Sequence, residues 1–141
     1  MPTVDLSWIV GQGVEAISLT EPVSWWFKFS GGTSLRADTL WRVVSSERIE
    51  VTSQDHRHRF GLPEPVDAGG RAMQVLGRAK VCRVSLVKST GDVAIGFDSG
   101  ATLEVLTTSL GYEGWSIAAA GRGEIIGLIL GGGEIEVRPP A

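Results

Sequence analysis

The chain has 141 residues, 43% of them apolar and 21% charged, and a net charge of −3. That balance fits a folded globular chain of domain size and excludes an intrinsically disordered one. The longest apolar stretches are far too short for a membrane-spanning helix, and the lone Cys82 excludes both an internal disulfide and a cysteine-built metal cage.

Nineteen glycines favour a turn-rich β chain over a helical one. The opening residues, Met1 to Leu6, show no basic leader pattern, so a reducing, cytoplasmic setting is expected. Charge is segregated: residues 42–91 carry nine Lys/Arg against five Asp/Glu, and residues 92–141 carry two against seven. Such a dipolar surface suits either a charged partner or plain solvation.

In chain order, Ala16 to Leu19 is a short strand stopped by Glu21-Pro22. Val23 to Phe29 alternates with period two and reads as a strand. Trp25 and Trp26 put one indole on each face. Ser30-Gly31-Gly32 is the following turn, because glycine tolerates the positive φ of tight hairpins. Ser34 to Val44 reads as one long or bent strand, and Arg48 to Val51 as another. Residues 52–66 form a loop, since two prolines and a glycine break any regular element there. A short helix follows, with Asp67 as its cap, Ala72, Met73, Val75 and Leu76 at helical spacing, and Gly77 at its end.

Lys80 to Lys88 alternates as a strand, with Val81, Arg83, Ser85 and Val87 on one face and Cys82, Val84 and Leu86 on the other. Thr90-Gly91-Asp92 is a turn, and then the first hairpin is written again. Trp25, Phe27, Phe29, Gly32 and Leu35 meet Val93, Ile95, Phe97, Gly100 and Leu103, always 68 positions later and without a gap. Thr107 to Gly111 is a loop, Tyr112 to Ile117 an aromatic segment, and Glu124 to Val137 a final hairpin around Gly131-Gly132-Gly133. The expected fold is mainly β in one domain: two repeated antiparallel units packed as a sandwich or partly open roll. One half spans residues 1–66, a linking helix residues 67–77, and the other half residues 78–141.

The run Leu76-Gly77-Arg78, Lys80-Val81 and Val84 is followed by Thr90-Gly91-Asp92-Val93, Ile95, Phe97-Asp98 and Gly100. Leu103-Glu104-Val105 and Tyr112-Glu113-Gly114-Trp115 complete it. This run resembles a family of small bacterial proteins built on a domain of unknown function. That family pattern is a helix ending in Leu-x-Gly, a Gly-Asp-Leu hairpin with Phe-x-x-Gly-x-x-Leu, and a Tyr-Glu-x-Trp segment. The resemblance covers about residues 70 to 117 well and the first half loosely, with Val93 in place of the usual Leu. It implies a fold and brings no catalytic residue with it.

Tyr112, Glu113 and Trp115 form the sharpest candidate cluster. Amphipathic aromatics beside a carboxylate suit a ligand cradle or an interface, and equally suit packing on a sheet. Trp41 and Arg42 join them as candidates, with Arg42 a possible ion-pair partner for Glu113. Asp55, His56 and His58 have the residue types of a metal site, but the chain holds no third histidine and two adjacent arginines, Arg57 and Arg59, repel a cation. Asp55 and His56 beside Ser53 show no nucleophile elbow or oxyanion motif. Gly121-Arg122-Gly123 and Gly131 to Gly133 lack the Lys-Ser/Thr of a phosphate loop. The basic stretch Arg71, Arg78, Lys80, Arg83 and Lys88 spreads over opposite strand faces, which speaks against nucleic acid.

No cofactor, metal, nucleic acid or membrane is therefore expected. The first functional expectation is a non-enzymatic protein-interaction module of accessory or immunity type, with a homodimer through an edge strand. The second is a small-ligand-binding β-roll using Trp26, Trp41, Tyr112 and Trp115. The third is a hydrolytic enzyme using His56, Asp55 and Glu113.

Overall fold

A computed structural model describes residues 5–87, 89–109, 114–119, 121, 123–127 and 135–138. Its first five strands are β1 (Val14–Thr20), β2 (Ser24–Phe29), β3 (Ser34–Ala37), β4 (Leu40–Ser45) and β5 (Arg48–Thr52). After helix α1 (Ala68–Leu76) come β6 (Val81–Val87), β7 (Asp92–Phe97), β8 (Thr102–Leu106), β9 (Trp115–Ala119), β10 (Gly123–Gly127) and β11 (Ile135–Arg138). All the described pairs are antiparallel. One sheet has the order β1-β2-β3-β9-β10-β11 and the other β5-β4-β8-β7-β6. The mainly β architecture, with one α-helix among the described residues, is that expected from the sequence.

Alternation in sequence becomes alternation in burial. In β2, Trp25, Phe27 and Phe29 are buried while Trp26 and Lys28 face outward. Phe27, Leu35, Trp41, Val43, Ile95, Leu103, Trp115 and Ile117 are all fully buried in one core cluster. The β2–β3 and β7–β8 turns are built alike. Phe29 N donates to Thr33 O at 2.9 Å, and Phe97 N to Ala101 O at 2.9 Å. Gly32 and Gly100 take φ of +84° and +92°, a region that L side chains enter only with strain.

The two sheets share a strand plan. β1-β2-β3 of one sheet and β6-β7-β8 of the other are three-stranded meanders, each bulged near the start of its first strand. Each meander is continued in its sheet by a hairpin from the opposite half of the chain: β9-β10 beside β3, and β4-β5 beside β8. The chain thus crosses between sheets twice.

The first crossing corrects the reading of Ser34 to Val44 as one strand. The strand ends at Ala37, and Leu40 opens a strand of the other sheet. Asp38 N donates to Gly114 O at 2.9 Å and Thr39 Oγ1 to Leu106 O at 2.7 Å, which fixes the corner between the sheets. A second correction concerns β6. The bulge between Val81 and Arg83 shifts the alternation, so that buried Val81 joins Val84 and Leu86 on the inner side. Cys82 is exposed.

Helix α1 covers β1 and β5, one edge strand of each sheet. Asp67 caps it, accepting from Gly70 N at 3.0 Å. A Cβ on Gly69 would stand 3.2 Å from Trp25 Cζ3, so glycine lets the helix seat against the buried indole. Gly77 ends the helix with right-handed φ of −64°, not the left-handed cap expected of glycine. Its role is close approach, since a Cβ there would lie 2.6 Å from Met73 O. Among the described residues, no helix is long and apolar enough to cross a membrane.

Candidate functional site

Trp41 and Trp115 lie at 0% exposure in the core. Trp41 packs edge-on against Trp25 and Phe27, at centroid distances of 5.1 and 5.2 Å. Trp115 Nε1 donates to Gly91 O at 2.7 Å. Arg42 reaches across to the neighbouring strand, where its Nε donates to Glu104 Oε1 at 2.7 Å, with both side chains about a third exposed. Tyr112 and Glu113 lie outside the described residues. Trp26 faces outward from its sheet, so Trp26, Trp41 and Trp115 do not converge on one cavity.

The histidine segment does not form a strand. Ser53–Asp55 is a 3₁₀ turn, and the Asp55 carboxylate accepts from Thr52 N at 3.2 Å in a capping box. His56 Nδ1 accepts from Ala68 N at 3.1 Å, just inside helix α1, and its ring lies edge-on to Trp25 at 5.0 Å. A ring accepting at Nδ1 carries its proton at Nε2 when neutral. His58 stacks on Phe60 at 5.5 Å. Asp55 is thus a turn cap, His56 a brace for the helix and His58 a packing partner. No group of three metal-ligating side chains occurs among the described residues.

His56 also borders an open cleft of about 450 Å³, whose lining includes Leu19, Pro22, Trp25, Asp38, Ser53 and Arg57. The Arg57 guanidinium is paired with Glu21. Ser53 Oγ accepts from Trp41 N at 3.1 Å. Asp38 is paired with Arg36, which lies outside the cleft lining, through Oδ2 at 3.4 Å.

The most distinctive surface is the tip of the loop after His56. Arg57 N donates to Val66 O and Val66 N to His58 O, each at 2.8 Å, which closes the base of the loop. At the tip, Leu62 N donates to Arg59 O at 2.7 Å, and the Arg59 guanidinium donates to the Pro63 carbonyl. Phe60 takes a φ of +48° and Gly61 of +76°. Left-handed backbone at a phenylalanine is strained, and the surrounding bonds hold it there. The outcome is two large apolar side chains held in solvent, Phe60 at 67% and Leu62 at 52% exposure. Behind them runs a groove of about 440 Å³, bordered by Val66 and by Asp67, Gly70 and Arg71 at the helix start.

In the sequence, residues 52–66 read as a loop, and Phe60 and Leu62 are not among the candidate site residues. The signal was present: two bulky apolar residues in a segment where glycine and prolines forbid a buried element. Among the described residues, no carboxylate is paired with Arg59, so a cation whose charge is not neutralised flanks the apolar tip.

No curated protein and no solved structure matches the chain. A family model does match, over residues 5–139, and its description is a family of unknown function, DUF6188. With nearly the whole sequence covered, the chain belongs to that family.

Proposed function

We propose that this is a non-enzymatic binding protein of accessory or immunity type, which docks onto a partner protein through the tip formed by Phe60 and Leu62. The observation that carries this reading is the exposure of both side chains on a loop whose base and tip are closed by backbone hydrogen bonds. A braced loop loses little conformational freedom on binding, so more of the contact energy appears as affinity. Burying each side chain is worth about 1.5–3 kcal/mol, the scale of an interface hot spot.

The partner surface is an apolar pocket with an acidic rim. Arg59 flanks the tip without a carboxylate partner among the described residues, and residues 42–91, the segment that holds the loop, carry nine Lys/Arg against five Asp/Glu. Charge of that kind steers encounter and fixes orientation. The engagement of Asp55 and His56 in backbone bonds also favours binding over acid–base catalysis. In this reading the two meanders and their crossed hairpins are copies of one unit and serve as scaffold, while the loop between β5 and α1 carries the activity.

The test is photo-crosslinking in the native cells from an unnatural residue placed at position 60, 62 or 28. Lys28 is an exposed site on the outer face of the other sheet. A single protein captured from 60 and 62 but not from 28, and lost when Leu62→Asp is added to the position-60 probe, supports the reading. No adduct from 60 and 62, or equal adducts from 28, overturns it.

A further inference from the structure

We propose that the outer edge of β6 pairs with β6 of a second copy of the chain, antiparallel and about a two-fold axis through Ser85. Among the described strands, four stand at sheet edges, and two of them, β1 and β5, are packed by α1. β6 stands in its sheet where β1 stands in the other, with the same burial pattern along its seven residues. The short 3₁₀ turn Ser7–Ile9 is the helical element that packs on it among the described residues. From outside, the start of the strand is hydrogen-bonded by the segment after that turn, where Gly11 N donates to Val81 O at 2.7 Å and Val81 N to Gln12 O at 2.8 Å. Beyond that point, β7 is its one strand partner among the described residues.

Edges of this kind are normally blunted by lysine, proline or a bulge along their length. Arg83 to Val87 holds no proline, and its single charge is drawn aside. The Arg83 guanidinium lies across Gly96 toward Thr102, with Nη2 3.4 Å from Oγ1. A Cβ on Gly96 would stand 2.5 Å from Arg83 Cζ, so glycine is what leaves room for that path. Val87 is 46% exposed.

The edge is self-complementary in one register. Arg83, Ser85 and Val87 point outward, and Val84 and Leu86 inward. Opposed residues of an antiparallel pair share a face, so the symmetry axis must pass through a residue and not between two. An axis at Ser85 uses only the regular stretch beyond the bulge. It sets Val84 against the partner's Leu86, extending the inner apolar row, and Arg83 against the partner's Val87, so that no like charges oppose. The product is one ten-stranded sheet made of two five-stranded ones, joined by backbone hydrogen bonds.

The experiment is sedimentation equilibrium of the full chain, with Ser85→Lys and with Ser85→Cys in a Cys82→Ser background. The native chain sediments at twice the 15.0 kDa chain mass at concentrations up to about 100 µM. Ser85→Lys opposes two ammonium groups at the axis and yields monomer with an unchanged circular dichroism spectrum. Under mild oxidation the Ser85→Cys variant forms a covalent dimer, and Cys82→Ser alone does not. A monomeric native chain, a dimer that survives Ser85→Lys, or a Ser85→Cys dimer that resists cross-linking overturns the proposal. None of these outcomes touches the Phe60 tip, which is tested separately.

Discussion

Trp41 and Trp115 occupy corresponding places in the two sheets. Trp41 faces Val105 across the β4–β8 pair, and Trp115 faces Ala37 across β3–β9. Ala37 and Val105 are themselves related by the 68-residue spacing of the hairpins. Both indoles are fully buried, but only one is hydrogen-bonded in the described structure. Trp115 Nε1 donates to Gly91 O at 2.7 Å, whereas Trp41 Nε1 meets no hydrogen-bond acceptor there.

Replacing each by phenylalanine removes the same ring volume and separates that difference. Trp115→Phe is expected to cost about 1 kcal/mol more than Trp41→Phe, the net worth of one buried hydrogen bond. Urea unfolding of the two variants measures it. Equal losses would mean that the indole N–H of Trp115 contributes nothing.

The turn glycines offer a matched pair of a different kind. A Cβ on Gly32 or on Gly100 would meet nothing within 4 Å, so only backbone strain opposes one. Gly32→Ala and Gly100→Ala are each expected to cost about 1–2 kcal/mol, the penalty for left-handed backbone at an L residue. Thermal unfolding of the two variants should show the same fall. A large inequality would mean that the two turns differ in more than sequence.

His56 is held by its backbone partner and by an aromatic neighbour. His56→Phe keeps a ring against Trp25 but leaves Ala68 N unpaired, at an expected cost of about 1–3 kcal/mol. His56→Ala loses both and is expected to be the less stable of the two. Urea midpoints check the order. The reverse order would place the role of His56 outside this brace.

Strand alternation made β2, β3, β7 and β8 legible in the sequence, because each buries one face and solvates the other. The helix was legible from its cap and spacing, with Asp67 at the position the structure confirms. The corner at Asp38 and Thr39 was not, since its anchors are Gly114 O and Leu106 O, more than sixty residues along the chain. The correspondence of Trp41 and Trp115 was hidden for a related reason. Six more residues separate Val105 from Trp115 than separate Ala37 from Trp41, so a gapless comparison stops at the hairpins. The bulge in β6 likewise leaves no local mark, and it reverses the face of Val81. The tip escaped notice because a glycine- and proline-rich segment reads as connection. Its hydrogen bonds, which the sequence does not reveal, close the backbone that carries Phe60 and Leu62.

The most direct measurement is the affinity of the purified partner, once captured from position 60, for the native chain and for Phe60→Asp and Leu62→Asp. Both side chains are mostly exposed, so their replacement should leave the thermal midpoint of the free chain nearly unchanged. Each variant is expected to raise Kd by about 30-fold or more, as loss of an interface hot spot does. Affinities within twofold of the native value would contradict the assignment of binding to this loop.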